Sequence, residues 1–333
     1  MLTRSNGLDS TMFRQKFLAN KMLNTKNFFA LVAVFLLLCT GCSSDAAIQT
    51  DAYTFTDDLD RTVTVVSHER TAVLLGSFAD VWTLAGGTVC ATADDAWDDF
   101  GLVLDETTVN LGGTKNLSLE GLLSAEPDFI IASTNTQQNV SWKDTLEAAG
   151  IPTAYFDVST FDDYLSMLKI CTDITGREDL YQLYGLNLQS TIDNTIAKAE
   201  QRVAEEGTQT VLFLRASAAS IRAKNSHGTV LGEMLADLGC VNIADNDENL
   251  LENLSLESIL LANPDRIFIV QVGDDADAVK QHIQDMFAEN PAWYELDAVR
   301  EGRVHYMDKR LYNLKPNAYW GDAYEMLEAI LAE

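Results

Sequence analysis

Residues 116–131 read NLSLEGLLSAEPDFII, and residues 253–268 read NLSLESILLANPDRIF. The stretches begin 137 positions apart and share their first five letters and a later Pro-Asp pair; Glu120 and Glu257 hold the same place in each. Physically, each copy is a short helix running into a strand. Ser118 and Ser255 suit a helix cap, and the glutamates two positions on fall in the first turn, where the helix dipole favours a carboxylate. Pro127 and Pro264 stop the helix, because the proline ring crowds the preceding residue out of helical geometry. Asp128 and Asp265 turn the chain. FIIAS (129–133) and RIFIV (266–270) then supply apolar runs suited to parallel strands buried on both faces.

The flanking sequence extends the pattern. In TAVLLGSFADVWTLAGG, residues 72–75 read as a strand, Gly76-Ser77 as a turn and the rest as a helix to Ala85, closed by Gly86-Gly87. In the second half, residues 210–215 (TVLFLR) read as a strand and 229–238 as a helix closed by Gly239. Strands alternating with helices predict two α/β lobes with mostly parallel, Rossmann-like sheets. Between them, residues 178–206 contain no proline and one glycine, Gly185, and place Leu180, Leu183, Tyr184, Leu188, Ile192 and Ile196 near helical spacing. At 1.5 Å per residue this helix spans roughly 40 Å, enough to tie one lobe to the other. Loops at the carboxyl ends of the two sheets are expected to face each other across a ligand cleft.

The chain has 333 residues with a formal net charge of −27. Residues 22–42, MLNTKNFFALVAVFLLLCTGC, give a Lys-containing start, an apolar run from Phe28 to Leu38, and small residues ending in Cys42. The run is shorter than the roughly 20 residues of a membrane span and fits the core of a secretory signal. Residues 1–21 read as an upstream extension, with Met1, Met12 and Met22 all available as the start. Removing residues 1–41 takes five basic residues and one acidic, leaving 18 against 49, a net charge near −31. Such a surface repels nucleic acid and anionic headgroups. Cys90, Cys171 and Cys240 are far apart and lack C-x-x-C spacing, so buried free thiols are expected in place of disulfides or a zinc site. The sequence has no G-x-S-x-G, P-loop, G-x-G-x-x-G or H-E-x-x-H signature, which points away from an enzyme.

Leu38-Cys39-Thr40-Gly41-Cys42 resembles a bacterial lipobox, with Cys39 where leucine is preferred. Together with the two lobes, the long helix, the repeated NLSLE…PD element, and phrases such as MLADLGCVNIAD and NPAWYELDAVREGRVHYMD, it makes the chain from Tyr53 onward resemble the substrate-binding lipoproteins of ABC importers for iron–siderophore, haem and cobalamin, the class III periplasmic binding proteins. The resemblance implies a signal and extension at 1–41, a flexible tether at 42–52, a first lobe at 53–160, a linker region with the interlobe helix at 161–206, and a second lobe at 207–333. It further implies lipidation of Cys42, anchoring outside the cytoplasm through that lipid, and docking of Glu120 and Glu257 onto arginines of two ABC permease subunits. Exposed ion pairs of that kind are worth about 0–1 kcal/mol each and set register more than affinity.

Ligand contacts are sought at strand ends and in the loops that follow: Ser77, Phe78, Asn135, Arg215, Gln271, Tyr312, Lys315 and Trp320. A guanidinium at Arg215 suits a carboxylate or catecholate of a ferric chelate. Lys309, Arg310 and Lys315 make the C-terminal region locally basic beside Tyr312, Tyr319 and Trp320, which suits an anionic, partly aromatic chelate or a tetrapyrrole. Trp82 and Trp293 are assigned to packing, and Trp97 and Trp142 to the mouth of the cleft. No cofactor is called for. A small-molecule metal chelate is the expected partner; ferric siderophore, haem and cobalamin stay open on residue counts, and a sensor or adhesion lipoprotein or a lipid-anchored enzyme are the remaining alternatives.

Overall fold

The computed structural model of the protein describes residues 52–273 and 275–333, so the expectations for the signal segment, for Cys42 and for nearly all of the tether lie outside the described residues. β1 (Tyr53–Thr56) and β2 (Thr62–Val65) form an antiparallel hairpin. β3 (Thr71–Val73), β4 (Val89–Thr92), β5 (Val109–Asn110), β6 (Phe129–Ser133) and β7 (Thr153–Phe156) build a parallel sheet in the order β5-β4-β3-β6-β7. The second sheet contains β8 (Thr210–Ala216), β10 (Val241–Asn242), β11 (Arg266–Gln271) and β12 (Val304–Met307), parallel in the order β10-β8-β11-β12; β9 (Ile221–Lys224) runs antiparallel beside β8.

The two copies of the repeated unit adopt one local structure. Ser118 accepts from Gly121 N at 3.0 Å and opens the helix Leu119–Ser124, which leads into β6. Ser255 accepts from Ser258 N at 3.3 Å and opens the helix Leu256–Ala262, which leads into β11. Glu120 and Glu257 lie in the first turns, exposed.

Side chains alternate across both sheets. Ile130 and Ala132 of β6 pack into an outer cluster of the first half, and Leu212, Leu214, Ile267 and Ile269 into an outer cluster of the second. The opposite faces, with Phe129, Ile131, Phe213 and Phe268, meet in one continuous core. Into that core go Ile192 and Ala199 of the long helix and Trp320, Tyr324 and Leu327 of the C-terminal helix Trp320–Leu331. Each large apolar side chain buried there contributes about 1.5–3 kcal/mol, so the halves are joined by packing as well as by chain connection.

The long helix has a seam. Glu178–Tyr181 is α-helical, Gln182–Leu186 forms a π-turn, and Asn187–Glu206 resumes the α-helix. A π-turn holds an extra residue and disturbs the i to i−4 ladder. Here Tyr164 Oη donates to the Tyr184 carbonyl at 2.9 Å, and a Cβ on Gly185 would stand 2.8 Å from Leu165 Cδ1. The widened turn thus sits where the helix Phe161–Thr175 comes closest, at the one position without a side chain.

Candidate functional site

The carboxyl ends of the two sheets border a cavity of 260 Å³. Asn135, just beyond β6, and Ser159, just beyond β7, line it from the first half; Arg215 near the end of β8 and Thr229 line it from the second; Tyr312 and Lys315 come from the segment after β12. Four of the residues proposed from sequence as ligand contacts are therefore together: Asn135, Arg215, Tyr312 and Lys315.

The wall on the second half is cationic. Antiparallel register sets Arg215 opposite Arg222 and Phe213 opposite Lys224, so both β9 cations share the face of Arg215. The side chains of Arg215, Arg222, Lys224 and Lys315 have no hydrogen-bond or ion-pair partner among the described residues, and Arg215 Nε is buried. Burial pulls the Arg215 guanidinium down from its ordinary value, and burial followed by Arg215 and Arg222 does the same to Lys224. Burial brings Lys315 down to about 8, a shift that Arg215 reinforces and Asp157 and Asp163 oppose. Cations so held gain from an arriving anion what they lost on leaving water.

Thr229 precedes the helix Val230–Asp237, caps it without a side-chain bond, and buries an Oγ1 that has no partner among the described residues. The positive end of that helix dipole therefore borders the cavity. The first half differs: Gly76 N, at the start of the helix Gly76–Leu84, donates to Asp95 Oδ1 at 2.9 Å, so that helix start already holds a carboxylate. Burial, opposed by this bond and reinforced by Asp99 and Asp94, raises Asp95 to about 6.

Other proposed contacts lie elsewhere. Phe78 is buried edge-on to Phe156, and Ser77 is buried with its carbonyl accepting from Asn317 Nδ2 at 2.8 Å. Trp320 is wholly buried among Phe161, Tyr164 and Tyr324, with centroids 6.0 to 6.3 Å away. These three belong to the core and its edge. Gln271 follows the parity of Ile267 and Ile269, opposite to Arg215, and faces a separate 470 Å³ cavity with Tyr306 and Met307. Trp142 packs on the outer cluster of the first half and Trp97 on the shared core, so neither is among the residues lining the cavity. The basic C-terminal region is largely neutralised: Lys309 pairs with Asp99 at 2.7 Å and Arg310 with Asp80 at 2.9 Å. Tyr312 contributes its ring, while its hydroxyl donates to the Ala323 carbonyl at 3.0 Å.

Sequence alone does not single out Ser159 and Thr229, which line the cavity, or Arg222 and Lys224, which share the face of Arg215. For the two cations a signal existed: after the Ser-Ala turn at 217–220, Arg222 and Lys224 alternate with period 2 on a strand that pairs with the one carrying Arg215.

A family model described as periplasmic binding protein matches residues 72–311. The Fe(3+)-citrate-binding protein YfmC of Bacillus subtilis (strain 168) is 26% identical over 300 residues, covering 86% of this chain and 90% of that protein. Among solved structures, Staphylococcus aureus SirA complexed with staphyloferrin B matches with a TM-score of 0.64 at 20% identity, over 84% of this chain and 98% of that one. Staphylococcus aureus IsdE complexed with heme matches with a TM-score of 0.65 at 14% identity, over 79% and 99% of the two chains. At those identities the two structures bear on the fold alone.

Proposed function

The chain belongs to the periplasmic binding protein family, and from that premise we propose that its cleft captures an anionic ferric chelate outside the cytoplasm and delivers it to an ABC permease. One observation carries the reading: in a protein of net charge −27, Arg215 and Lys315 line the cleft wall together, Arg222 and Lys224 share the face of Arg215, and none of the four side chains has an ion-pair partner among the described residues. Oxygen-donor chelates of ferric iron present peripheral carboxylates, which such a wall recognises. Each charge-assisted hydrogen bond to a carboxylate adds about 1.5–3 kcal/mol. The name of the Bacillus subtilis relative, a Fe(3+)-citrate-binding protein, points to the same chemistry.

In this reading Arg215 and Lys315 grip the ligand, Arg222 and Lys224 draw it in, and Asn135 and Tyr312 complete the wall. Glu120 and Glu257, one exposed helix start on each half, dock on paired permease subunits, and a lipid on Cys42 keeps the protein at the membrane. Titration of the mature protein with ferric citrate, haemin and cyanocobalamin, followed by tryptophan fluorescence and visible absorbance, tests it. Saturable, salt-sensitive binding of ferric citrate is expected. Tight binding of cyanocobalamin, whose periphery is amide, with none of ferric citrate would reject the anionic chelate, and tight binding of haemin alone would move the ligand from citrate-type chelates to tetrapyrroles.

A further inference from the structure

Lys315 follows β12, so chain order places it with the second half, yet its segment is fastened to the first. Asp80, on the helix Gly76–Leu84, accepts from Arg310 Nη2 at 2.9 Å and from Asn317 Nδ2 at 2.9 Å, gripping the segment on both sides of Lys315. Arg310 also donates through Nη1 to the carbonyl of Lys315 itself. Its guanidinium lies over the Phe100 ring at 4.1 Å, a second hold on the first half. Asn317 is wholly buried with φ 55, a left-handed conformation that asparagine tolerates better than most residues.

The division of labour among the cations is therefore uneven. Arg310 directs Nη2 to Asp80 and Nη1 to the backbone of Lys315, while the ammonium of Lys315, at the cavity, has no side-chain partner among the described residues. An anion held by Arg215 and Lys315 together is consequently held by both halves, since Arg215 rides on β8 and the Lys315 segment rides on Asp80.

We propose that Asp80 is a positioning residue of the anion site: without touching ligand, it sets through Arg310 and Asn317 where the Lys315 ammonium stands relative to Arg215. This rests on the reading of the cleft as a site for an anionic ferric chelate, and the test separates the two.

The experiment is a double-mutant cycle on the full mature chain, with Asp80→Ala, Lys315→Met and the double variant titrated with ferric citrate from pH 7 to 9. Lys315 is faced by Arg215, Asp157 and Asp163, and all three remain in each variant. Asp80→Ala and Lys315→Met should each weaken binding about tenfold, the worth of one charged hydrogen bond, and the double variant should bind no worse than Lys315→Met alone. Asp80→Ala should also lose the alkaline decline in affinity that the wild type shows, because its remaining binding no longer depends on Lys315. A core defect would not change that pH profile. If Asp80→Ala does not fold, Arg310→Lys, which keeps a cation for Asp80 but loses the fork that also reaches the Lys315 carbonyl, decides by the same cycle. Losses that multiply, or Asp80→Ala and Arg310→Lys variants that bind like the wild type, overturn the role of Asp80 and leave the cleft reading standing. A wild type that takes up no ferric citrate overturns the cleft reading, and the positioning role with it.

Discussion

Arg202 Nε donates to Glu328 Oε1 at 3.0 Å and Arg202 Nη2 to Glu328 Oε2 at 3.0 Å, a two-pronged bond between the long helix and the C-terminal helix. The two side chains are only 5% and 10% exposed, and Nη2 also donates to the Leu238 carbonyl at 2.9 Å. Breaking such a pair leaves a charge stranded away from water, whereas replacing both partners with apolar groups removes the cost of burying them. Glu328→Ala should therefore destabilise the protein by about 3–5 kcal/mol, and Arg202→Met with Glu328→Leu by far less. Urea unfolding of the three proteins checks this. A double variant as unstable as the single one would mean that the pair does more than neutralise itself.

Lys315 sets a pH dependence whose two arms have opposite signs. Its folded value of about 8 lies below the ordinary 10.5, so between those values the folded chain holds fewer protons than the unfolded one. This contribution to the stability of the empty protein therefore rises with pH through that window. In the proposed anion site, affinity runs the other way, because the ammonium loses its charge above about 8. Ferric citrate should bind about tenfold more weakly at pH 9 than at pH 7 in the wild type, and with a much flatter profile in Lys315→Met. The same substitution should raise the melting temperature of the empty protein at pH 7. Parallel pH profiles for the two proteins would remove Lys315 from the site.

How much of this was legible in sequence follows from which residues carried a local signal. The repeated Ser-x-Glu…Pro-Asp units name their cap, first turn and stop within a dozen residues, and both fold as expected. The π-turn depends on Leu165 meeting Gly185, a contact between residues distant in sequence, and the helical period alone does not reveal it. Arg215 announced itself as a charge at the end of an apolar strand. Gln271 has the same position on β11, but that strand is apolar on both faces, so no alternation says which face looks inward. Phe78 and Trp320 are apolar residues beside strand ends and segment turns, where core and cleft read alike until the packing is known.

Gly185 offers a test of the seam in the long helix. A Cβ there would approach Leu165 Cδ1 to 2.8 Å and the Tyr181 ring to 3.2 Å, so any side chain must push the helix Phe161–Thr175 away or close the π-turn. Gly185→Ala should cost about 1–3 kcal/mol through overpacking, although alanine is the better helix former by about 1 kcal/mol in an open helix. Thermal unfolding reads the sign. A stabilised variant would mean that helix propensity outweighs the contact.

The exposed glutamates decide whether docking is separate from capture. Glu120 and Glu257 stand in equivalent first turns on the two halves and are outside the cavity lining. Their removal should leave ligand affinity and melting temperature nearly unchanged, since each loses only a dipole interaction of about 0.3–1 kcal/mol. Uptake of radiolabelled ferric citrate by cells carrying only the Glu120→Ala, Glu257→Ala protein should be abolished, with each single variant between that and the wild type. If the two glutamates dock on paired permease subunits as proposed, losing one costs part of the rate and losing both costs the register. Normal uptake by the double variant would assign the two carboxylates to their helix dipoles alone.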